Sequence, residues 1–203
     1  MNSQIEVYKD IYSNYKSCQI EKEYLSDTWD HTLTEKGHMF TLSELLEMRA
    51  PGNRVNSWMV DSLYAIDDTA IDLNDSIVVA LLELGESNVG YPRKDICVGG
   101  QFFSSLFLRD VNNAAFLIGL IEQSGFNRPR VLEIGGGIGL LMYLLKQYFK
   151  EKITIFAVDL PETLLIQEQY LRQCFPDMPH CYKSTDEPVD FTDGGINFIN
   201  AYV

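Results

Sequence analysis

Residues 131–141 read VLEIGGGIGLL and hold four glycines within the five positions 135–139, with apolar residues on both sides. Glycine has no Cβ atom, so the backbone can turn sharply at these positions and a ligand can approach it closely. A turn that only joins a strand to a helix needs one or two glycines. The surplus predicts that a ligand lies against this stretch of backbone.

The sequence after residue 128 alternates between strand-like and helix-like patterns. Short apolar runs at 130–134 and 153–158 predict two strands. An apolar stretch at 140–149 and the segment at 161–174, which begins with Pro161, predict the helices that follow them. The run GGINFINAYV predicts a third strand. Such βαβ units build a parallel sheet, so the predicted fold class is α/β, with a Rossmann-like sheet.

The first 127 residues predict a mainly helical segment in front of the sheet, which could form a substrate lid or a dimer contact. Thr41 and Glu44 have the spacing of a capping box, and helices are also expected from about Asp75 to Gly85 and over about 103–124. The stretch SNVGYPRKDICVGGQ between them predicts a polar loop. The expected domains are therefore residues 1–127 and 128–203.

The charge balance limits the partners that the chain can bind. The sequence has 16 Lys and Arg against 29 Asp and Glu, a formal net charge of −13. Nucleic acids and anionic membranes are bound through basic residues, so neither is an expected partner. No apolar run is long enough to span a bilayer, the N-terminus lacks a signal-peptide pattern, and the four cysteines are scattered. These features favour a cytoplasmic protein.

The glycine spacing discriminates between ligand classes. A dinucleotide fingerprint requires G-x-G-x-x-G, but the third glycine position is Leu140 in one register and Met142 in the other. The sequence instead places an acidic residue, Glu133, before glycines at every second position. Asp159 ends the second predicted strand, where a carboxylate can accept hydrogen bonds from both hydroxyls of a ribose.

The stretches LEIGGGIG and AVDLPETLLIQEQYL together resemble the cofactor-binding half of class I S-adenosylmethionine-dependent methyltransferases, and more narrowly the sugar O-methyltransferases. The resemblance covers about residues 128–203 and implies transfer of a methyl group from S-adenosyl-L-methionine to a hydroxyl of a small molecule or glycan. It assigns no metal-ligating residues, and the acceptor's proton could be removed by a His, an Asp or a bound metal. The cofactor-binding residues that it implies are Glu133, Gly135, Gly136, Gly137, Gly139, Asp159 and Leu160.

The resemblance also implies a role for each of these residues. The glycines would line the methionine and ribose part of the cofactor, and Glu133 would reach its amino group or orient the loop. Asp159 would hold the ribose hydroxyls, and Leu160 would pack on the adenine. The catalytic base is not identified by any pattern.

Several other side chains are candidates for chemistry in the sequence alone. His31 and His38 are possible bases within a lid, and Trp29 and Trp58 could stack on a sugar, although core packing is the favoured role for both tryptophans. His180 is expected on the surface. Its neighbours Cys174 and Cys181 suggest zinc ligands, but no matching second pair follows, so ordinary thiols are the favoured interpretation.

The sequence contains fewer strands than the seven of the resembling family. The family's strand order would leave the first strand as an unpaired edge beside the glycine loop. A truncated product and a partial record of a longer enzyme are the favoured explanations; a half-domain completed by a second chain or a homodimer is the third. The alternative functions are a non-catalytic S-adenosylmethionine-binding protein, an NAD-dependent oxidoreductase and a purely structural interaction module.

Overall fold

The computed structural model describes residues 8–13, 40–60, 71–183 and 190–201. Residues 8–13 are helical, and the rings of Tyr8 and Tyr12 lie one helical turn apart, with 5.4 Å between their centroids. This agrees with the helical spacing of the N-terminal tyrosines.

Among the described residues, three further short helices follow, of which the first and the third begin where the sequence predicts and the second was not predicted. Helix α1 spans Leu42–Leu46, and its cap is the predicted capping box: Thr41 Oγ1 accepts from the Glu44 N–H while the Glu44 carboxylate accepts from the Thr41 N–H. Helix α2 spans Arg54–Val60. Helix α3 spans Ser76–Leu84 between the expected caps, Asp75 and Gly85.

The prediction of a polar loop after α3 is wrong for the last residues of that stretch, which form an antiparallel hairpin. Strands β1 (Ile96–Val98) and β2 (Gln101–Phe103) pair across Gly99 and Gly100, which both have positive φ angles of 58° and 84°. Helix α4 then spans Ser105–Ser124, capped by the Ser104 hydroxyl. One side of this helix is buried in the core and consists of Leu108, Val111, Ala115, Ile118 and Ile121.

The sheet region follows the predicted alternation closely. Its elements are β3 (Arg130–Ile134), α5 (Leu140–Phe149), β4 (Thr154–Asp159), α6 (Pro161–Cys174), β5 (His180–Lys183) and β6 (Ile196–Asn200), with a 3₁₀ turn at Lys150–Lys152. All three strand pairings are parallel, and the strand order is β3-β4-β6-β5. The fold is therefore α/β with a four-stranded parallel sheet, which is compatible with a Rossmann-like fold.

Strand β5 was missed by the sequence analysis, which placed His180 on the surface after a helix. That expectation is wrong: His180 begins β5, is half-buried and stacks on Phe198 of β6, with 6.1 Å between the ring centroids. Burial lowers its pKa to about 4. The imidazole is therefore neutral at pH 7 and packs as part of the core.

The hydrophobic core is continuous from the helical segment into the sheet. Helix α4 packs against α3 and α5, and α6 packs on β4 and β6. The hydroxyl of Tyr143 in α5 donates to the backbone oxygen of Gly85, 3.0 Å away, and ties the end of α3 to the sheet region. Within the described part of the chain, every helix is too short or too polar to cross a bilayer.

Candidate functional site

The glycine loop joins the carboxyl end of β3 to the start of α5. Gly135, Gly137 and Gly139 have φ angles of 75°, 57° and 94°, a region that residues with a Cβ rarely adopt. The Gly135 N–H donates to the Val158 oxygen at 3.1 Å, and the Gly139 N–H donates to the Gly136 oxygen at 2.9 Å. The loop is thus folded back on itself and fixed to the neighbouring strand.

The four glycines differ in what surrounds them. A Cβ atom at Gly135 or Gly137 would meet no atom within 4 Å, so the backbone is open to a ligand at both residues. A Cβ at Gly136 would lie 2.9 Å from the Glu133 carboxyl carbon. Gly139 is buried, and its Cβ would lie 3.2 Å from Leu171 Cδ1. Gly135 and Gly137 leave space for a ligand, whereas Gly136 and Gly139 allow close packing inside the protein.

Asp159 lies at the carboxyl end of β4, next to the glycine loop. Its Oδ1 accepts from the Leu160 N–H and its Oδ2 accepts from Gln167 Nε2, both at 2.8 Å. Burial raises the pKa of this carboxyl to about 6, against the hydrogen bonds from Leu160, Gln167, Thr163 and Gly136, which lower it. A carboxylate has about four acceptor positions, so these four hydrogen bonds engage all of them, and a ligand hydroxyl would replace the one from Thr163 or from Gly136.

Glu133 lies on β3 beneath the loop, with its carboxyl group folded against Gly136. Burial, helped by the nearby charges of Asp110 and Asp159 and opposed by that of Arg109, raises its pKa to about 7. Its Oε2 atom is buried and has no hydrogen-bond partner. A ligand that brings a positive charge or an N–H donor to this position would stabilise the ionised form.

Asp110 is a neighbour of this site that the sequence analysis missed. It lies on α4, is buried, and accepts hydrogen bonds at 3.0 Å from Nε and Nη2 of Arg109 and at 3.3 Å from Asn113. Its position 20 or more residues before the glycine loop gave no local pattern to detect. Gln167, which lies eight residues after Asp159 and orients its carboxyl group, was also missed, because no local pattern indicates this contact.

The segment after Asp159 gives the site its other wall. Leu160 is the N-cap residue of α6 and is half-buried, and Pro161 occupies the first helical position. Glu162 is buried, and burial raises its pKa to about 6. Its Oε2 atom also lacks a hydrogen-bond partner. The side of the site formed by α6 therefore combines an apolar residue with a second buried carboxyl group.

The other candidates lie elsewhere or outside the described residues. His31, His38 and Trp29 fall outside the described residues, and Trp58 lies in α2. Cys174 makes a 3.4 Å contact from Sγ to Ser87 Oγ. In the described part of the chain, no three His, Cys, Asp or Glu side chains are grouped so that they could hold a metal ion.

Comparisons of the chain with protein-family models, with curated proteins and with solved structures find no match. The function of the chain is therefore inferred from the residues and geometry of the site itself.

Proposed function

We propose that the chain is an S-adenosyl-L-methionine-dependent O-methyltransferase that acts on a sugar hydroxyl, and that residues 128–203 hold the cofactor. One observation carries the proposal: the open backbone at Gly135 and Gly137 lies beside Asp159, at the carboxyl ends of adjacent parallel strands. Open α/β sheets bind their ligands at the carboxyl ends of the strands. The choice of a sugar as acceptor depends on the family resemblance.

The residues at the site fit the chemical groups of this cofactor. Asp159 offers acceptors for the two ribose hydroxyls, which would take the places of the hydrogen bonds from Thr163 and Gly136 while those from Leu160 and Gln167 are kept. The unpaired Oε2 of Glu133 suits the cofactor's amino group, directly or through water. Leu160 offers an apolar side for the adenine. Cβ atoms at Gly135 and Gly137 would occupy the space that the cofactor needs.

The bound cofactor would supply an electrophilic methyl group on a positively charged sulfur. The chain's own residues then have to position the donor and the acceptor and to exclude water, since alignment is the main requirement of an in-line transfer. Leu160 and Gln167 fix the Asp159 carboxylate, and the loop glycines let the backbone approach closely. Removal of the acceptor's proton by His31 or His38 stays a prediction.

The proposal is tested by calorimetric titration of the folded chain with S-adenosylhomocysteine. Asp159→Asn preserves the size of the side chain but replaces one acceptor oxygen with an amide, so we expect binding to weaken by about 10- to 100-fold. Asp193→Asn is the matched control, because Asp193 lies in the turn before β6, at the opposite end of the sheet, and is largely exposed. It should leave the affinity unchanged.

Three results would contradict the proposal. A folded chain that releases no heat with S-adenosylhomocysteine does not bind this cofactor, and saturable binding of NAD instead would favour an oxidoreductase. Binding without methyl transfer to any of a panel of sugars and glycosides would support the non-catalytic alternative. Transfer is followed with S-adenosylmethionine carrying a radiolabelled methyl group.

A further inference from the structure

A polar cavity of about 270 Å³ is lined by residues of helix α2, of the loop before the hairpin and of the first turn of α4. At about 30 Å³ for each molecule, it has room for about nine waters or for a small organic ligand. Side chains with hydrogen-bond donors line it from separate parts of the chain: Arg49, Asn56, Arg93 and Ser105. Asp95 also lines it. The wall is therefore rich in donors and carries two cations.

Arg49 is the buried cation of this wall, and its side chain is 2% exposed. Its Nη1 donates to the Ser87 backbone oxygen at 3.3 Å, and its Nη2 donates to Glu86 and, at 3.1 Å, to Ser104 Oγ. A guanidinium has five N–H donors, so two donors of Arg49 have no partner among the described residues. Because buried donors are normally hydrogen-bonded, these two indicate that the cavity takes a ligand with acceptor atoms.

The first turn of α4 adds backbone donors to the same wall. The Ser104 hydroxyl accepts from the Phe107 N–H at 3.2 Å, whereas the N–H groups of Ser105 and Leu106 have no hydrogen-bond partner in the described part of the chain. Both of these residues line the cavity. Helix α4 has 20 residues, and the positive end of its dipole favours a negative charge at this position.

Arg93 supplies the second positive charge. It pairs with Asp95 at 2.9 Å, and the two side chains are 71% and 51% exposed. Exposed ion pairs contribute little to stability, so Arg93 can exchange this partner for a bound anion. The negative charge of Glu86 is already engaged, because its carboxylate also accepts from the N–H and the hydroxyl of Ser104. The cavity therefore favours an anionic ligand.

We propose that this cavity binds the phosphate group of a small phosphorylated molecule. A phosphate monoester carries a charge of about −1.5 to −2 at pH 7 and has three strong acceptor oxygens. Arg49, Arg93 and the start of α4 offer donors from three separate segments, which suits three oxygens better than the two of a carboxylate. The whole chain has a net charge of −13, so binding depends on these local donors.

The cavity is separate from the glycine-loop site, although α4 connects the two. All of its lining residues lie within 49–106. Ser105 is five residues before Asp110, the neighbour of Glu133, which corresponds to about 7.5 Å along the helix axis. The inference therefore does not rest on the proposed function, and its test needs no cofactor.

Calorimetric titration of the full chain with inorganic phosphate and with glycerol 3-phosphate tests the proposal, and glycerol is the uncharged comparison. We expect both phosphate compounds to bind with a dissociation constant of about 1 mM or lower, and glycerol not to bind. Arg93→Gln should weaken binding at least about tenfold, because it removes a charge next to the phosphate. Arg130→Gln is the matched control: Arg130 is 66% exposed and pairs with Asp193 at 3.0 Å. It should leave the affinity unchanged.

Ser105→Pro tests the backbone donors of α4. Ser104 has φ and ψ angles of −80° and 151°, which suit a residue before proline, and proline is favoured at the first helical position, so the variant should fold. It removes the Ser105 N–H and the hydroxyl, whereas Ser105→Ala removes the hydroxyl alone. Phosphate should therefore bind at least about threefold more weakly to Ser105→Pro than to Ser105→Ala. Circular dichroism checks that both variants are folded.

Three results would overturn the proposal. The first is a folded wild-type chain that binds neither phosphate compound. The second is an equal loss of affinity in Arg93→Gln and Arg130→Gln, which would show that phosphate responds to the overall charge and not to the cavity. The third is equal affinity of the two Ser105 variants, which would exclude the start of α4 from the site.

Discussion

Both ends of the parallel sheet use glycines, but for opposite physical reasons. At the carboxyl end, a Cβ atom at Gly135 or Gly137 would meet no atom within 4 Å. At the amino end, a Cβ at Gly194 would lie 2.6 Å from the Glu151 oxygen, and one at Gly195 would lie 2.5 Å from the Pro179 oxygen. A glycine-rich stretch therefore indicates a ligand site only where the space beside the backbone is empty.

The buried polar groups at the two ends differ in the same way. At the amino end, Lys146 Nζ donates to the backbone oxygens of Ile153 at 2.6 Å and Gly194 at 2.7 Å. At the carboxyl end, Glu133 has a buried oxygen without a partner. Lys146 is fully engaged at the amino end, where the neutral ring of His180 leaves only its Nε2 atom without a partner. The carboxyl end keeps carboxyl oxygens of both Glu133 and Glu162 available as acceptors, as is typical of a binding site.

The largest effect should come from Gly194→Ala at the closed amino end. The new methyl group would clash with the Glu151 backbone at a φ angle of 69°, which already disfavours alanine. We expect a loss in the free energy of unfolding on the order of 3 kcal/mol, measured by urea denaturation. Gly99→Ala, at a φ of 58° with open space, is the control and should cost only about 1 kcal/mol. Equal losses would contradict the steric explanation.

An intermediate change in the free energy of unfolding is expected from Glu133→Gln at the carboxyl end. At pH 8 this change is a gain in stability, whereas Gly194→Ala causes a loss. The folded-state pKa of Glu133 is about 7 against an ordinary value of 4.5, so the native state binds more protons than the unfolded chain between these pH values. Wild type therefore loses stability as pH rises through this window. The variant should be more stable at pH 8 by about 2 kcal/mol, after allowance for solvent screening.

The pH dependence of the Glu133→Gln difference is its own check. The gain should nearly disappear at pH 4.5, where the carboxyl group is protonated in the folded state and about half protonated in the unfolded chain. Comparing the two proteins at each pH removes the opposite contribution of His180, whose depressed pKa makes the folded state less stable as pH falls. A gain that stays constant from pH 8 to 4.5 would show that the charge of Glu133 is not its cause.

The smallest effect on stability should come from Gly137→Ala in the open loop. The substitution adds strain at a φ of 57° but no clash, so we expect a loss of about 1 kcal/mol. Its larger consequence would be for binding: S-adenosylhomocysteine should bind at least about tenfold more weakly, as measured by calorimetry. Gly125→Ala has the same open surroundings at a φ of 71° on the far end of α4. It should match the stability loss and leave binding unchanged.

The elements with strong periodicity could be predicted from the sequence, and the short ones could not. The bounds of β3, α5 and α6 match the predicted ranges, because glycine or proline stands at or next to one or both ends of each element and its apolar residues follow the strand or helix pattern between them. Strand β5 has only four residues, HCYK, and is recognisable only from its pairing with β6. The hairpin β1–β2 did carry a signal, the pair Gly99-Gly100 between apolar residues.

The candidate site was predictable only where its residues follow strand ends. Glu133, the glycines and Asp159 lie at the ends of β3 and β4, where sequence position determines location in a parallel sheet. Asp110 reaches the site from the preceding helix, and Gln167 reaches Asp159 from two turns into α6. Their contacts depend on how the helices pack, which no local pattern encodes.

Because Lys146 is buried, the rate of its chemical labelling can measure how often the surrounding structure opens. Its amine is 1% exposed and is held by backbone oxygens from separate segments, so an acylating reagent can reach it only when those segments part. Exposed lysines would be acylated within the first moments of the reaction. The rate at which mass spectrometry detects the label on Lys146 would then measure how often the amino end of the sheet opens.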